Sequence, residues 1–116
     1  DRMMSRGLGD VYKRQHKIKE HAFGLTLKRA GDEGGKASAT ASMFKLYGTE
    51  HNKKRHELMV AASGINGVAW DGDEFDDNDK NLTRAWLRTK GNSIEGGTSE
   101  VQLNVISKRV LGLPSQ

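Results

Sequence analysis

Residues 95–100 read Glu95-Gly96-Gly97-Thr98-Ser99-Glu100, and these types in this order can do chemistry with their backbone as well as with their side chains. Gly96 and Gly97 admit backbone angles and close approaches that a β-carbon forbids. Thr98 or Ser99 can cap the first unpaired amides of a following helix. The block reads as an anion-binding helix entrance, with a tight turn plus cap and no ligand as the plainer alternative.

The elements that must position this block follow from the flanking residues. Glu100 falls in the first turn of the expected terminal helix and Lys108-Arg109 in the last, matching the helix dipole, and Gly112 and Pro114 then stop it. Leu103, Ile106 and Val110 follow helical spacing, widened by Val101 and Val105, so one face is expected to be buried. Upstream, residues 36–63 contain no proline and are rich in good helix formers, which predicts a long helix. Its middle, 50–57, is almost wholly polar and either faces water or meets a partner surface. Gly64 and Gly67 break that helix; 71–79 carries six carboxylates and no basic residue, and reads as a solvated loop. Residues 78–90 predict a short amphipathic helix with Trp86 in the core, and 16–30 a modest helix closed by Gly31 and Gly34-Gly35.

The block from Gly91 to Pro114, with Arg84-Ala85-Trp86-Leu87-Arg88 before it, resembles the last helix of the acyl-CoA dehydrogenases. The likeness extends back through Ser63-Gly64-Ile65-Asn66-Gly67 and Ala41-Ser42-Met43-Phe44-Lys45-Leu46-Tyr47-Gly48-Thr49-Glu50 to about Lys36, roughly two thirds of the 116 residues. The resemblance implies an all-α fold, the C-terminal four-helix-bundle-type domain of such an enzyme, present here as an incomplete fragment over 16–116. It implies FAD as cofactor and an acyl-CoA thioester as substrate. A carboxylate base removes the α-proton while the β-hydride leaves for the flavin, and electrons pass on to an electron-transfer flavoprotein. Backbone and ribityl hydrogen bonds to the thioester oxygen stabilise the developing enolate.

Carried over by position, Gly97 is the substrate-side residue, and Thr98, Ser99 and Glu100 are cofactor contacts. Gly64 and Ile65 resemble a turn that meets the flavin of a neighbouring subunit, in a homo-oligomer that is a dimer or tetramer. Many members carry the catalytic glutamate immediately before the Gly-Thr pair, where this chain has Gly96; Glu95 lies one residue earlier. That offset turns the side chain away, so the reading preferred to Glu95 is a base on an earlier helix, as in branches with a small residue at this point.

Bulk properties bound the alternatives. A hydrophobic content of 34% and mean hydropathy of −0.73 are low for a self-contained bundle, so the core is expected to be shared with absent parts. Zero cysteines exclude disulfides and thiolate metal sites and fit a bacterial cytoplasm. His51 and His56 are poorly spaced for one helix face, and the acidic stretch lacks a calcium-loop register, so no metal is expected. No apolar run approaches the roughly 20 residues of a membrane span.

The net charge of +4 raises a second reading, a small basic helical module that binds nucleic acid or another protein, supported by Lys53-Lys54-Arg55. Half of that excess lies in residues 1–15, whose Ser5-Arg6-Gly7-Leu8-Gly9-Asp10-Val11-Tyr12-Lys13-Arg14-Gln15 reads as a translated sequencing adaptor, a non-native leader expected to be ill-defined. Without it the basic case is thin, and no nucleic-acid partner is expected.

Overall fold

The computed structural model describes residues 2–34 and 42–114. It is all-α: among the described residues there are four α-helices and no strand. The chain forms two compact units, 1–41 and 42–116.

The first unit is built on helix α1, Arg2–Asp32. It is twice the length of the helix expected over 16–30, because residues 2–15, expected to be ill-defined, form its first turns. Methionine, leucine, lysine, arginine and glutamine there favour the helix, and extension of an existing helix tolerates Gly7 and Gly9 at about 1 kcal/mol each. Exposed ion pairs Lys17–Glu20 at 2.9 Å and Arg29–Glu33 at 3.1 Å lie along its surface, the second near its C-terminus.

The second unit begins with helix α2, Phe44–Ser63, preceded by a short 3₁₀ turn at 42–43. The expected start of this helix, at 36–41, lies outside the described residues. Gly64, at φ +59°, ends α2 as the sequence requires, and the chain continues as a 3₁₀ turn, Gly64–Val68. Gly67 is buried there, with the Val60 backbone carbonyl lying where a β-carbon would stand. The Thr83 hydroxyl donates to the Gly67 carbonyl at 3.1 Å, and the Asn66 amide donates to Asp79 at 3.0 Å.

The acidic loop is organised by its own carboxylates. Asp71 accepts from the Gly72 amide at 3.0 Å, and Asp76 accepts from the Asp79 amide at 2.8 Å, capping helix α3, Asp77–Asn92. Asp77 and Asp79 in the first turn and Lys90 in the last complement the α3 dipole. Trp86 is half-buried with the Lys90 ammonium 5.0 Å from its ring centre, whereas Trp70 is exposed beneath the Arg84 guanidinium at 5.4 Å. The core is thin: Ala69, Thr83 and Thr89 are buried, and no large side chain among the described residues is fully enclosed. This matches the low apolar content.

Helix α4, Ser99–Val105, runs into a π-helical turn, Ile106–Val110, and Gly112 at φ +64° ends the segment. The buried face expected here is not formed. Leu103 is 55% exposed and Val101 50%, because among the described residues of this unit the helix that α4 packs against is α2, and one neighbour cannot cover a helical stripe.

Candidate functional site

The turn from α3 to α4 is wound around the Gly91 carbonyl, which accepts from the amides of Ile94 and Glu95, both at 3.0 Å. Gly96 and Gly97 then adopt φ of +65° and +98°, the left-handed region in which a β-carbon is strained. Two donors hold the glycine carbonyls. Gln102, one turn into α4, donates its side-chain amide to Gly96 at 3.0 Å, and Lys45, on the first turn of α2, donates its ammonium to Gly97 at 2.6 Å. A β-carbon on Gly97 would stand 2.9 Å from the Gln102 amide nitrogen, so the bare backbone at this position is filled by its own brace.

Thr98 caps α4, its hydroxyl oxygen accepting from the Val101 amide at 3.3 Å. The Glu100 carboxyl is held below its usual range, first by a hydrogen bond from its own backbone amide and next by one from the Thr98 hydroxyl; Lys53 adds a smaller electrostatic contribution. Ser99 donates its hydroxyl to Glu50 at 3.2 Å, and Glu50 also accepts from Lys53 at 2.9 Å. The helix entrance is therefore flanked by two carboxylates, Glu50 and Glu100, as well as by Lys45 and Lys53. This is not the uniformly anion-seeking mouth expected from the glycines and the helix start.

Glu95 points elsewhere. Its carboxylate takes the Arg88 guanidinium at 2.7 Å, with both side chains more than half exposed. The one-residue offset read in the sequence thus corresponds to a side chain engaged at the surface.

Gly97, Thr98, Ser99 and Glu100 come together with Lys45, Glu50 and Gln102. Gly64 and Ile65 do not join them: they follow the far end of the 20-residue α2, about 30 Å along its axis from Lys45. Ile65 is 78% exposed. The polar stretch 50–57, expected to face water or a partner, makes much of its contact inside the chain: Glu50 with Ser99, Asn52 with Asn92 at 3.3 Å and Glu57 with Lys90 at 3.1 Å. Lys53 and Lys54 are paired with Glu50 and Glu57, which dilutes the basic run invoked for nucleic acid.

Among the described residues no three histidine or carboxylate side chains cluster to hold a metal ion, and no helix is long and apolar enough to cross a membrane.

Lys45, Glu50 and Gln102 were not singled out as site residues. Gln102 stands six residues from its partner and could have been weighed, but Lys45 is separated from Gly97 by 52 residues, beyond the reach of any local spacing rule.

The chain is 32% identical over 75 residues to acyl-CoA dehydrogenase IpdE1 of Mycolicibacterium smegmatis and 35% identical over 75 residues to acyl-CoA dehydrogenase IpdE1 of Mycobacterium tuberculosis. Each match covers 65% of this chain and 18% of the relative, so the chain spans less than a fifth of these relatives' length. No solved structure matches. The family model described as acyl-CoA dehydrogenase, C-terminal domain, matches residues 3–111, taking in most of the leader set aside on sequence grounds as well as the whole α3–α4 turn. The chain belongs to the acyl-CoA dehydrogenase C-terminal domain family.

Proposed function

We propose that this chain is the C-terminal helical part of an FAD-dependent acyl-CoA dehydrogenase, an oxidoreductase that introduces a double bond between the α- and β-carbons of an acyl-CoA thioester. The family match over 3–111 carries the reading. The chain alone is inactive in this reading, and the whole enzyme is a homo-oligomer of the bacterial cytoplasm that hands its electrons to an electron-transfer flavoprotein.

The residues fit such a cofactor in a particular way. Ser99 and Thr98 carry hydroxyls, and the bare backbone lies open at Gly96, where the Lys45 stem stands 3.9 Å from a β-carbon position, so a thioester can approach closely there, whereas at Gly97 the Gln102 amide takes that space. The carboxylates of Glu50 and Glu100 at the same entrance disfavour a diphosphate, so the neutral, hydroxyl- and amide-bearing portion of FAD suits Thr98, Ser99 and Glu100. The separation of about 30 Å along α2 supports assigning Gly64 and Ile65 to a different cofactor copy, that of a neighbouring subunit.

The bound cofactor supplies a two-electron acceptor for the hydride that leaves the β-carbon. The chain's own part is to present the Gly96–Gly97 turn to the thioester and stabilise the charge developing on its oxygen. Glu95, paired with Arg88 at the surface, is a poor candidate for the α-proton base, which this reading assigns to an upstream helix.

The test is to express the whole protein that carries this chain, measure bound FAD, and add acyl-CoA without oxygen. Bleaching of the flavin absorption is expected. A colourless protein that cannot be reconstituted with FAD overturns the proposal.

A further inference from the structure

We infer that Lys45 is a positioning residue for the thioester-facing turn, holding the Gly97 carbonyl so that the Gly97–Thr98 peptide presents its donor side to the substrate. The inference rests on the proposed reading of this turn as the substrate's neighbour.

Gly96 and Gly97 both sit at positive φ and carry no side chains to limit their motion, so the turn has more conformational freedom to lose than any other pair of residues. Gln102 pins the Gly96 carbonyl, but it belongs to the helix that the turn leads into and moves with it. Lys45 comes from α2 and ties the turn to a separate element across 52 residues. Its stem also runs beside the turn, with Cε 3.9 Å from where a Gly96 β-carbon would stand, and the side chain is partly buried.

A charged donor at 2.6 Å does more than hold position. By hydrogen-bonding the Gly97 carbonyl it fixes the orientation of the trans peptide and polarises it, so that the Thr98 amide on the opposite side becomes a stronger donor. That matters little to an uncharged ground-state thioester. It acts as negative charge builds on the thioester oxygen, so it belongs to kcat rather than to KM.

The experiment uses the whole FAD-loaded protein with wild-type, Lys45→Met, Lys45→Gln and Lys45→Arg forms, reading kcat per bound flavin, KM for acyl-CoA and flavin content. The expected result is retained flavin, a fall in kcat per flavin of about tenfold for Lys45→Met with KM within about twofold, and a smaller fall for Lys45→Arg, which keeps a cationic donor. Lys45→Gln, which keeps a neutral donor, is expected to lose turnover as well, and it decides the matter if Lys45→Met folds poorly. Turnover per flavin equal to wild type in Lys45→Met or Lys45→Gln overturns the inference, as does an activity loss that merely tracks lost flavin or is not relieved by arginine. A wild type without flavin or acyl-CoA turnover overturns the functional reading and this inference together, whereas an active wild type with indifferent Lys45 variants overturns this inference alone.

Discussion

The Lys90 ammonium meets the Glu57 carboxylate at 3.1 Å and so joins α3 to α2 by a charged hydrogen bond at a half-exposed seam. This bond holds the Glu57 carboxyl below its usual range, against an opposing effect of partial burial and with help from Lys54. A carboxyl depressed in the folded state contributes stability that is complete above the ordinary glutamate value and is lost as pH falls through the depressed one. With both side chains about 40% exposed, the contribution is below about 1 kcal/mol. Glu57→Gln is therefore expected to lower stability slightly at pH 7, and the difference from wild type should vanish in acid below the depressed value. Urea unfolding at both pH values checks this; a difference that persists or grows in acid contradicts it.

Thr83 of α3 donates its hydroxyl to the Gly67 carbonyl of the 3₁₀ turn at 3.1 Å, with Gly67 and Thr83 both buried. A β-carbon at Gly67 would collide with the Val60 backbone carbonyl and its side chain, neither of which is the free end of a flexible group. Gly67→Ala is expected to destabilise by about 2 kcal/mol or more. Thr83→Val keeps the shape of a residue that is 5% exposed but removes the donor to the Gly67 carbonyl, for about 1–2 kcal/mol. Denaturant midpoints should rank wild type, Thr83→Val, then Gly67→Ala; the reverse order for the two variants refutes the packing account.

The helix ends of the second unit were legible in the sequence because they are local. Gly64 and Gly112 each supply the positive φ at which a helix stops, and Thr98 supplies the oxygen that starts α4. Three features escaped local reading. The exposure of Leu103 depends on how many neighbours α4 has, which periodicity does not state. The π-helical turn shifts the Leu111 amide onto the Ile106 carbonyl, a choice of partner by one residue that composition does not encode. The Lys45–Gly97 bond arises only once α2 and the α3–α4 turn have met, so the most specific support of the site lay 52 residues from the motif it serves.

Thr98 has two jobs at the start of α4, accepting from the Val101 amide and donating to the Glu100 carboxylate. Thr98→Ala removes both. It is expected to cost about 1 kcal/mol and to speed hydrogen exchange at Val101, whereas Thr98→Ser, which keeps the hydroxyl, should restore protection. The Glu100 carboxyl should titrate closer to its ordinary value in Thr98→Ala, a shift that carbon-detected NMR can follow. Unchanged exchange at Val101 would mean that α4 is held from elsewhere.

Glu95 is the carboxylate nearest in sequence to the Gly96–Gly97 turn, and its role separates two mechanisms. A general base must reach the proton it removes within hydrogen-bond distance, and losing it costs on the order of 10²–10⁴-fold in turnover. Glu95 is instead drawn to Arg88 at 2.7 Å, with more than half of its side chain in solvent. In the whole protein Glu95→Gln is therefore expected to keep its flavin and to retain turnover within about threefold of wild type, because the substitution removes a surface ion pair worth at most about 1 kcal/mol. Arg88→Gln should behave in the same way, since it breaks the same pair from the other side. If Glu95→Gln alone abolishes turnover with flavin retained, Glu95 must leave Arg88 and turn inward in the loaded enzyme, and the base lies in this chain rather than upstream.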